Sequence, residues 1–321
     1  MSLTDYPQPP HNTGIGMHLT AGLSNPVDPW LDPLQSMGIS WVKLLSDVHG
    51  SGLRNVELLL SRGIMPVVRV YKHRALPDGF TDQELAIVGE FVRRGAPYIQ
   101  THNEPNLDGE WARDFWELGA EGRIDVTARQ WTRDAERITA AGGIACTPPL
   151  APGGHHDDMH FLSDLLRWLL SHGQASLLLG GRVAIGCHNY TLNHPPDYAA
   201  DSNGFLKFRF YHQTLRARLA EVGYNPALAE QVPILSLEGG ATVGNGDDGN
   251  YPRVTEDMHR DWSVQMCRYM ATAEQWYFCT AFWLLANRRA GHDNEMWESQ
   301  AWYSDRWPGG QLPAVGALMA E

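Results

Sequence analysis

Two glutamates stand where paired-carboxylate chemistry could be done. Glu104 closes the run 98–103 (YIQTHN) and is followed by Pro105, in the stretch Asn103-Glu104-Pro105-Asn106. Glu238 closes the run 233–237 (PILSL) and is followed by Gly239-Gly240. Short runs of this kind, stopped by Pro or Gly, read as strands that hand a side chain to a turn. Two such carboxyl groups can divide one reaction, one giving a proton to a leaving oxygen and the other attacking carbon. The two roles need different proton affinities, which only environment can supply. Other polar and aromatic groups close or follow comparable runs: His18, Arg69 with Tyr71 and His73, His188-Asn189-Tyr190, and Trp283. Arg69, set beside a carboxylate, would hold it ionised as a nucleophile requires.

The elements that must position these groups alternate strand and helix through eight cycles. The expected strands are 14–19, 39–45, 65–71, 98–103, 143–147, 183–189, 233–237 and 278–285. Expected helices follow at about 29–37, 52–62, 81 onward, 127–141, 159–171, 205–222, 255–275 and 311–320. Thr81 with Glu84 reads as a capping box, Thr127 as the cap of its helix, and 111–118 as a short extra helix. Several strands are continuously apolar, as in a parallel sheet covered by helices. Eight units in 321 residues point to one closed α/β (β/α)8 TIM barrel spanning 1–321 with a short N-terminal extension. No Gly-x-Gly-x-x-Gly turn follows a strand, which argues against a dinucleotide fold. In such a barrel, working groups sit at the C-terminal strand ends. Glu104 and Glu238, leaving strands four and seven, would then flank a glycosidic bond across the barrel mouth.

Composition narrows the partners. A net charge of −12 argues against nucleic acid and against an anionic membrane surface, and suits a neutral substrate. Twelve Trp and eleven Tyr fit either core packing or platforms for sugar rings, with Trp111, Trp116, Trp297 and Trp302 in loop regions near the mouth. Cys146, Cys187, Cys267 and Cys279 lack metal or redox spacing and read as small buried hydrophobes. Residues 1–10 are polar and Pro-rich, with no visible signal peptide, which leaves the compartment open. The sequence carries no signal for an oligomeric state.

Two clusters resemble metal loops. His155, His156, Asp157, Asp158 and His160 could ligate zinc, but their spacing favours a solvated loop with Asp157 or Asp158 as a helix cap. Asn245 to Asn250 (NGDDGN) lacks the bidentate Glu of a calcium loop. No metal and no organic cofactor is expected. His102 should point outward from the barrel or into packing.

In order and spacing, from Gly14 to Ala286, the chain resembles clan A glycoside hydrolases. The match lies in Asn103-Glu104-Pro105, His188-x-Tyr190, Glu238 and Trp283. The run 103–111 (NEPNLDGEW) is similar to family 39, and His-x-Tyr to family 5. The resemblance implies a retaining β-glycosidase with Glu104 as acid/base and Glu238 as nucleophile. It further implies that Asn103 binds the sugar 2-hydroxyl, Tyr190 hydrogen-bonds the nucleophile and Trp283 floors the subsite before the cleavage point. His188, Arg69 and His18 complete the expected substrate-binding set. The clan often carries its site Arg on strand two, where this chain has Lys43, so Arg69 is the candidate substitute. The rival readings are a catalytically inactive carbohydrate-binding barrel and a metal-dependent hydrolase built on the His-rich loop.

Overall fold

The computed structural model describes residues 2–23, 25–73 and 76–321. Eight strands run Ile15–His18 (β1), Trp41–Ser46 (β2), Met65–Val70 (β3), Tyr98–Gln100 (β4), Ile144–Cys146 (β5), Val183–Tyr190 (β6), Ile234–Gly240 (β7) and Tyr277–Phe282 (β8). Each pairs in parallel with the next, and β8 pairs with β1, so the sheet closes in chain order as expected. The helices are Leu31–Ser36 (α1), Leu53–Ser61 (α2), Asp82–Arg93 (α3), Ala120–Ala140 (α4), Asp158–Ser171 (α5), Ala175–Leu178 (α6), Lys207–Glu221 (α7), Glu256–Met270 (α8), Glu295–Glu298 (α9) and Pro313–Met319 (α10). Among the described residues, no helix is long and apolar enough to cross a membrane.

Strand alternation sorts the core into two regions. Outward residues such as Val42, Val68, Ile99, Ile185 and Ile234 pack under the helices. Inward residues Trp41, Met65, Val67, Tyr98, Ile144, Cys146, Leu235 and Phe278 fill the barrel, as a closed eight-stranded sheet requires. The N-terminal extension joins this inner core through Tyr6, whose hydroxyl donates to the Val183 carbonyl at 2.9 Å. All four cysteines are free and buried, three of them on β5, β6 and β8 and Cys267 on α8.

The stretch after β4 differs from expectation in two ways. The helix assigned to start at Thr127 begins at Ala120, capped by Gly119, and Thr127 lies buried inside it. Arg123 accounts for the extra turns. Its guanidinium donates to Asp108 and to the Trp116 and Leu118 carbonyls, tying the first turns of α4 to the long β4–α4 loop. In place of a helix over 111–118, that loop makes single 3-10 turns at Asp108–Glu110 and Arg113–Phe115. The Thr81–Glu84 capping box forms as expected. Asp157 caps α5 by accepting from the His160 amide at 2.8 Å.

One register feature bears on the site. Cys187 pairs with Ser236, but His188 pairs with Glu238, so Leu237 is an extra residue in β7. Simple alternation would send Leu235 and Leu237 inward and Glu238 outward. The bulge turns Glu238 back into the barrel beside His188. Leu237 still packs in the inner core, in space that Gly186 leaves open: a Cβ there would stand 3.3 Å from Leu237 and 2.5 Å from the Thr147 carbonyl oxygen. Gly186→Ala should therefore destabilise the barrel by about 1–3 kcal/mol, read as a lower urea midpoint with an unchanged slope. A wild-type midpoint would show that the bulge does not depend on this opening.

Candidate active site

The eight strand ends surround a cleft of about 580 Å³ lined by His18, Arg69, Asn103, Glu104, Tyr190, Glu238 and Trp283. Seven of the eight sequence-predicted site residues thus share one wall. The eighth, His188, is fully buried and is not among the residues that line it. Its Nδ1 is 2.8 Å from Glu104 Oε1, and its Nε2 is 3.7 Å from Glu238 Oε1. His188 therefore spans the two carboxylates from below.

Glu238 sits at the centre. Lys43 Nζ donates to its Oε1 at 2.6 Å and the Tyr190 hydroxyl donates to its Oε2 at 2.8 Å. His18 Nε2 stands 3.7 Å from Oε1. Burial alone would raise the proton affinity of this carboxyl, but its neighbours, His188 and Lys43 foremost, outweigh it and hold Glu238 well below the usual carboxylate range. Tyr190 is pushed well above the ordinary tyrosine value, by burial first and by Glu238 next, so it stays a donor. His18 is pushed well below the usual histidine value by burial and by the Lys43 charge, which leaves it neutral near pH 7. Its ring meets Trp283 edge to face with centroids 4.4 Å apart.

The cation beside Glu238 is thus Lys43, not Arg69. Lys43 lies one strand closer to β1 and points inward with Trp41 and Leu45 along β2. Arg69 instead faces Glu110, with Nη2 3.5 Å from its Oε2, and lies over the Tyr71 ring. Lys43 itself fills the strand-two position for which Arg69 was the candidate substitute. Alternation along 39–45, which puts Lys43 on the same face as Trp41, was the signal that could have found it.

Glu104 has a different setting. Its backbone φ is 40°, in the left-handed region that a non-glycine residue enters at a cost of roughly 1–3 kcal/mol. The turn is held by Glu104 N donating to the Pro149 carbonyl and by Leu107 N donating to the Glu104 carbonyl. This geometry aims the carboxyl into the cleft, where it accepts from Asn103 Nδ2 at 3.2 Å. Asn103 also donates to Glu110 Oε1 at 3.0 Å. Tyr71, singled out with Arg69 from sequence, also lines the cleft, whereas Glu110, His292 and Gln300 were missed. These three lie on loops where no periodic pattern marks them.

The loop tryptophans divide. Trp297 lines the cleft, with its ring centroid 6.1 Å from that of Trp283. Trp111 and Trp302 are core residues, and Trp116 is partly exposed away from the cleft wall. A second recess of about 360 Å³ adjoins the first and shares Glu104, Tyr190 and Gln300 with it. His102 points away from the site, 3.6 Å from Asp134 on α4. His194 and Asn193 brace the 245–250 loop through Asp248.

Glu104, His188 and Glu238 bring three potential ligand atoms within 4.8 Å of one another. Their existing bonds oppose a cation there. Glu238 Oε1 already carries the Lys43 ammonium, and His188 Nδ1 is engaged by Glu104. The set behaves as a hydrogen-bonded charge network.

No protein-family model and no curated protein matches the sequence. Solved structures do match. A family 39 glycoside hydrolase from Bacteroides cellulosilyticus WH2 aligns over 97% of this chain with a TM-score of 0.64 and 10% identity. This chain spans 63% of that protein's length. A GH5-4 endoglucanase from Clostridum cellulovorans aligns over 98% of each chain, with a TM-score of 0.55 and 14% identity. A family 30 subfamily 8 xylanase from Clostridium acetobutylicum aligns over 97% of this chain and 71% of its own, with a TM-score of 0.51 and 12% identity. These glycoside hydrolases share the chain's (β/α)8 barrel fold. At these identities the clan likeness is one of fold, and the chemistry must be argued from the site.

Replacing Lys43 tests the electrostatics. Lys43→Met should move the acid limb of the kcat/KM profile upward by roughly 1–3 pH units, because an opposite charge beside a carboxylate depresses it by about that much. Lys43→Arg should keep the limb near its wild-type position. An unmoved limb in Lys43→Met would show that Lys43 does not set the charge on Glu238.

Proposed function

We propose that this protein is a retaining glycoside hydrolase that cleaves β-linked oligo- or polysaccharides by double displacement. One observation carries the reading: carboxylate oxygens of Glu104 and Glu238 lie within 4.8 Å of each other at the floor of an open cleft. Retaining enzymes place their carboxyl groups about 5–5.5 Å apart, whereas inverting enzymes leave room for a water at about 6.5–9.5 Å.

The environments fit the division of labour. Glu238 is ionised and held by Lys43 and Tyr190, as a nucleophile attacking an anomeric carbon requires. As it attacks, its charge passes into the new ester bond and the Tyr190 and Lys43 contacts are free to relax. Glu104 protonates the departing glycosidic oxygen, then takes a proton from the water that hydrolyses the glycosyl-enzyme. His188 keeps the Glu104 carboxyl oriented through its 2.8 Å contact. Trp283 and Trp297 offer apolar ring surface for a sugar beside the reacting centre. The structural neighbours include an endoglucanase, a xylanase and XacCel5A, solved in complex with cellopentaose, which makes β-linked glucans and xylans the first substrates to try.

Removing Glu238 should abolish turnover: Glu238→Ala is expected to lose on the order of 10⁴-fold or more in kcat, the scale on which a nucleophile is missed. Added azide should restore part of the rate and yield a glycosyl azide of inverted configuration. Full activity in Glu238→Ala would refute the assignment. Glu104→Ala should lose roughly 10²–10⁴-fold on substrates with poor leaving groups and far less on activated aryl glycosides. Equal losses on both would remove Glu104 from the acid role.

A further inference from the structure

Three carboxylates, not two, face the cleft. Glu110 lies on the 3-10 turn Asp108–Glu110 and its side chain is largely buried among charged neighbours. Its carboxyl is pushed above the ordinary glutamate range by burial, and by the charges of Glu104 and Glu238, against the pull of Arg69 and Asn103. Holding a third acid here opposes stability through like-charge repulsion, so its place in the site calls for a reason.

The hydrogen bonds supply one. Asn103 has one amide oxygen and two amide protons. The oxygen accepts from Gln100 Nε2 at 3.0 Å. Nδ2 donates to Glu104 Oε2 at 3.2 Å and to Glu110 Oε1 at 3.0 Å. Both amide protons of Asn103 are therefore committed before a substrate arrives. A sugar hydroxyl can take an Asn103 proton only if one carboxylate releases it. Glu104 is the one that must change partners, because its oxygen has to reach the glycosidic oxygen. Glu110 has no such duty. Its other oxygen faces the Arg69 guanidinium at 3.5 Å, which anchors it to β3.

We propose that Glu110 is a positioning residue that clamps the Asn103 amide between itself and Gln100, so that the proton Glu104 gives up is presented to the substrate 2-hydroxyl. The inference rests on the retaining-hydrolase reading of the site. It adds a function for a carboxylate outside the catalytic pair. The 2-hydroxyl contact strengthens toward the transition state in this class of reaction, so the clamp acts on kcat more than on KM. A simple counter-ion to Arg69 would have no connection to the sugar 2-position, and that difference can be measured.

The experiment compares wild type, Glu110→Ala and Glu110→Gln on an aryl β-glycoside and on its 2-deoxy counterpart. On the parent glycoside, Glu110→Ala should lose roughly 10–100-fold in kcat, the scale of one hydrogen bond to a charged group. Glu110→Gln restores an acceptor for Asn103 and should recover much of that loss. On the 2-deoxyglycoside, which has no hydroxyl for Asn103 to meet, the three proteins should agree within about threefold. Equal losses on both substrates would overturn the proposal and leave Glu110 a structural counter-ion, as would no loss on the parent. If Glu110→Ala does not fold, Glu110→Gln alone decides, because any loss it shows must vanish on the 2-deoxy substrate. Failure of the wild type to turn over any glycoside would overturn the hydrolase reading itself, and this inference with it.

Discussion

A carboxylate buried inside a protein must be neutralised or it will protonate, and the upper half of this barrel is arranged around that constraint. Glu238 is almost fully removed from solvent, yet it is held ionised. The Lys43 ammonium at 2.6 Å supplies the opposing charge and is itself buried. Such a pair costs several kcal/mol per ion in desolvation and repays it only with good geometry and further hydrogen bonds. Tyr190 provides the further bond to Glu238. The result is a carboxylate that needs no bulk water to keep its charge.

The backbone departs from regular geometry at both acids. At Glu238 a bulge in β7 reverses the side chain's direction and sets it opposite His188. At Glu104 the chain enters a positive φ that only a firm scaffold would sustain. Both departures act on direction, bringing carboxyl groups from β7 and from the β4 end to one point. Beneath that point His188 touches the first acid and approaches the second. A barrel with ideal strands would keep these acids on its rim but would not make them converge.

Much of this was legible in the sequence. The eight strand–helix cycles, their closure and the strand ends bearing Glu104, Glu238, His18, Tyr190 and Trp283 follow from apolar runs and their terminators, which are local properties of the chain. What escaped is non-local. Lys43 and Arg69 are both cations on inward-facing strand positions, and only the barrel's cross-section decides which meets Glu238. Glu110 sits on an irregular loop with no periodicity to betray it. The start of α4 was misread because Arg123 anchors it through contacts that no local propensity encodes. His188 stands on the expected strand end, but its full burial between the two acids is not written in residue type.

The covalent step is the claim on which the account turns. The most direct measurement is intact and peptide mass spectrometry after incubation with 2,4-dinitrophenyl 2-deoxy-2-fluoro-β-glycosides of the gluco and xylo series, whose fluorine slows release of a glycosyl-enzyme. The account predicts one adduct per chain, lost on proteolysis from every peptide except the one containing Glu238. An adduct on another residue, or substrate turnover with no adduct and with inversion at the anomeric carbon, would contradict it.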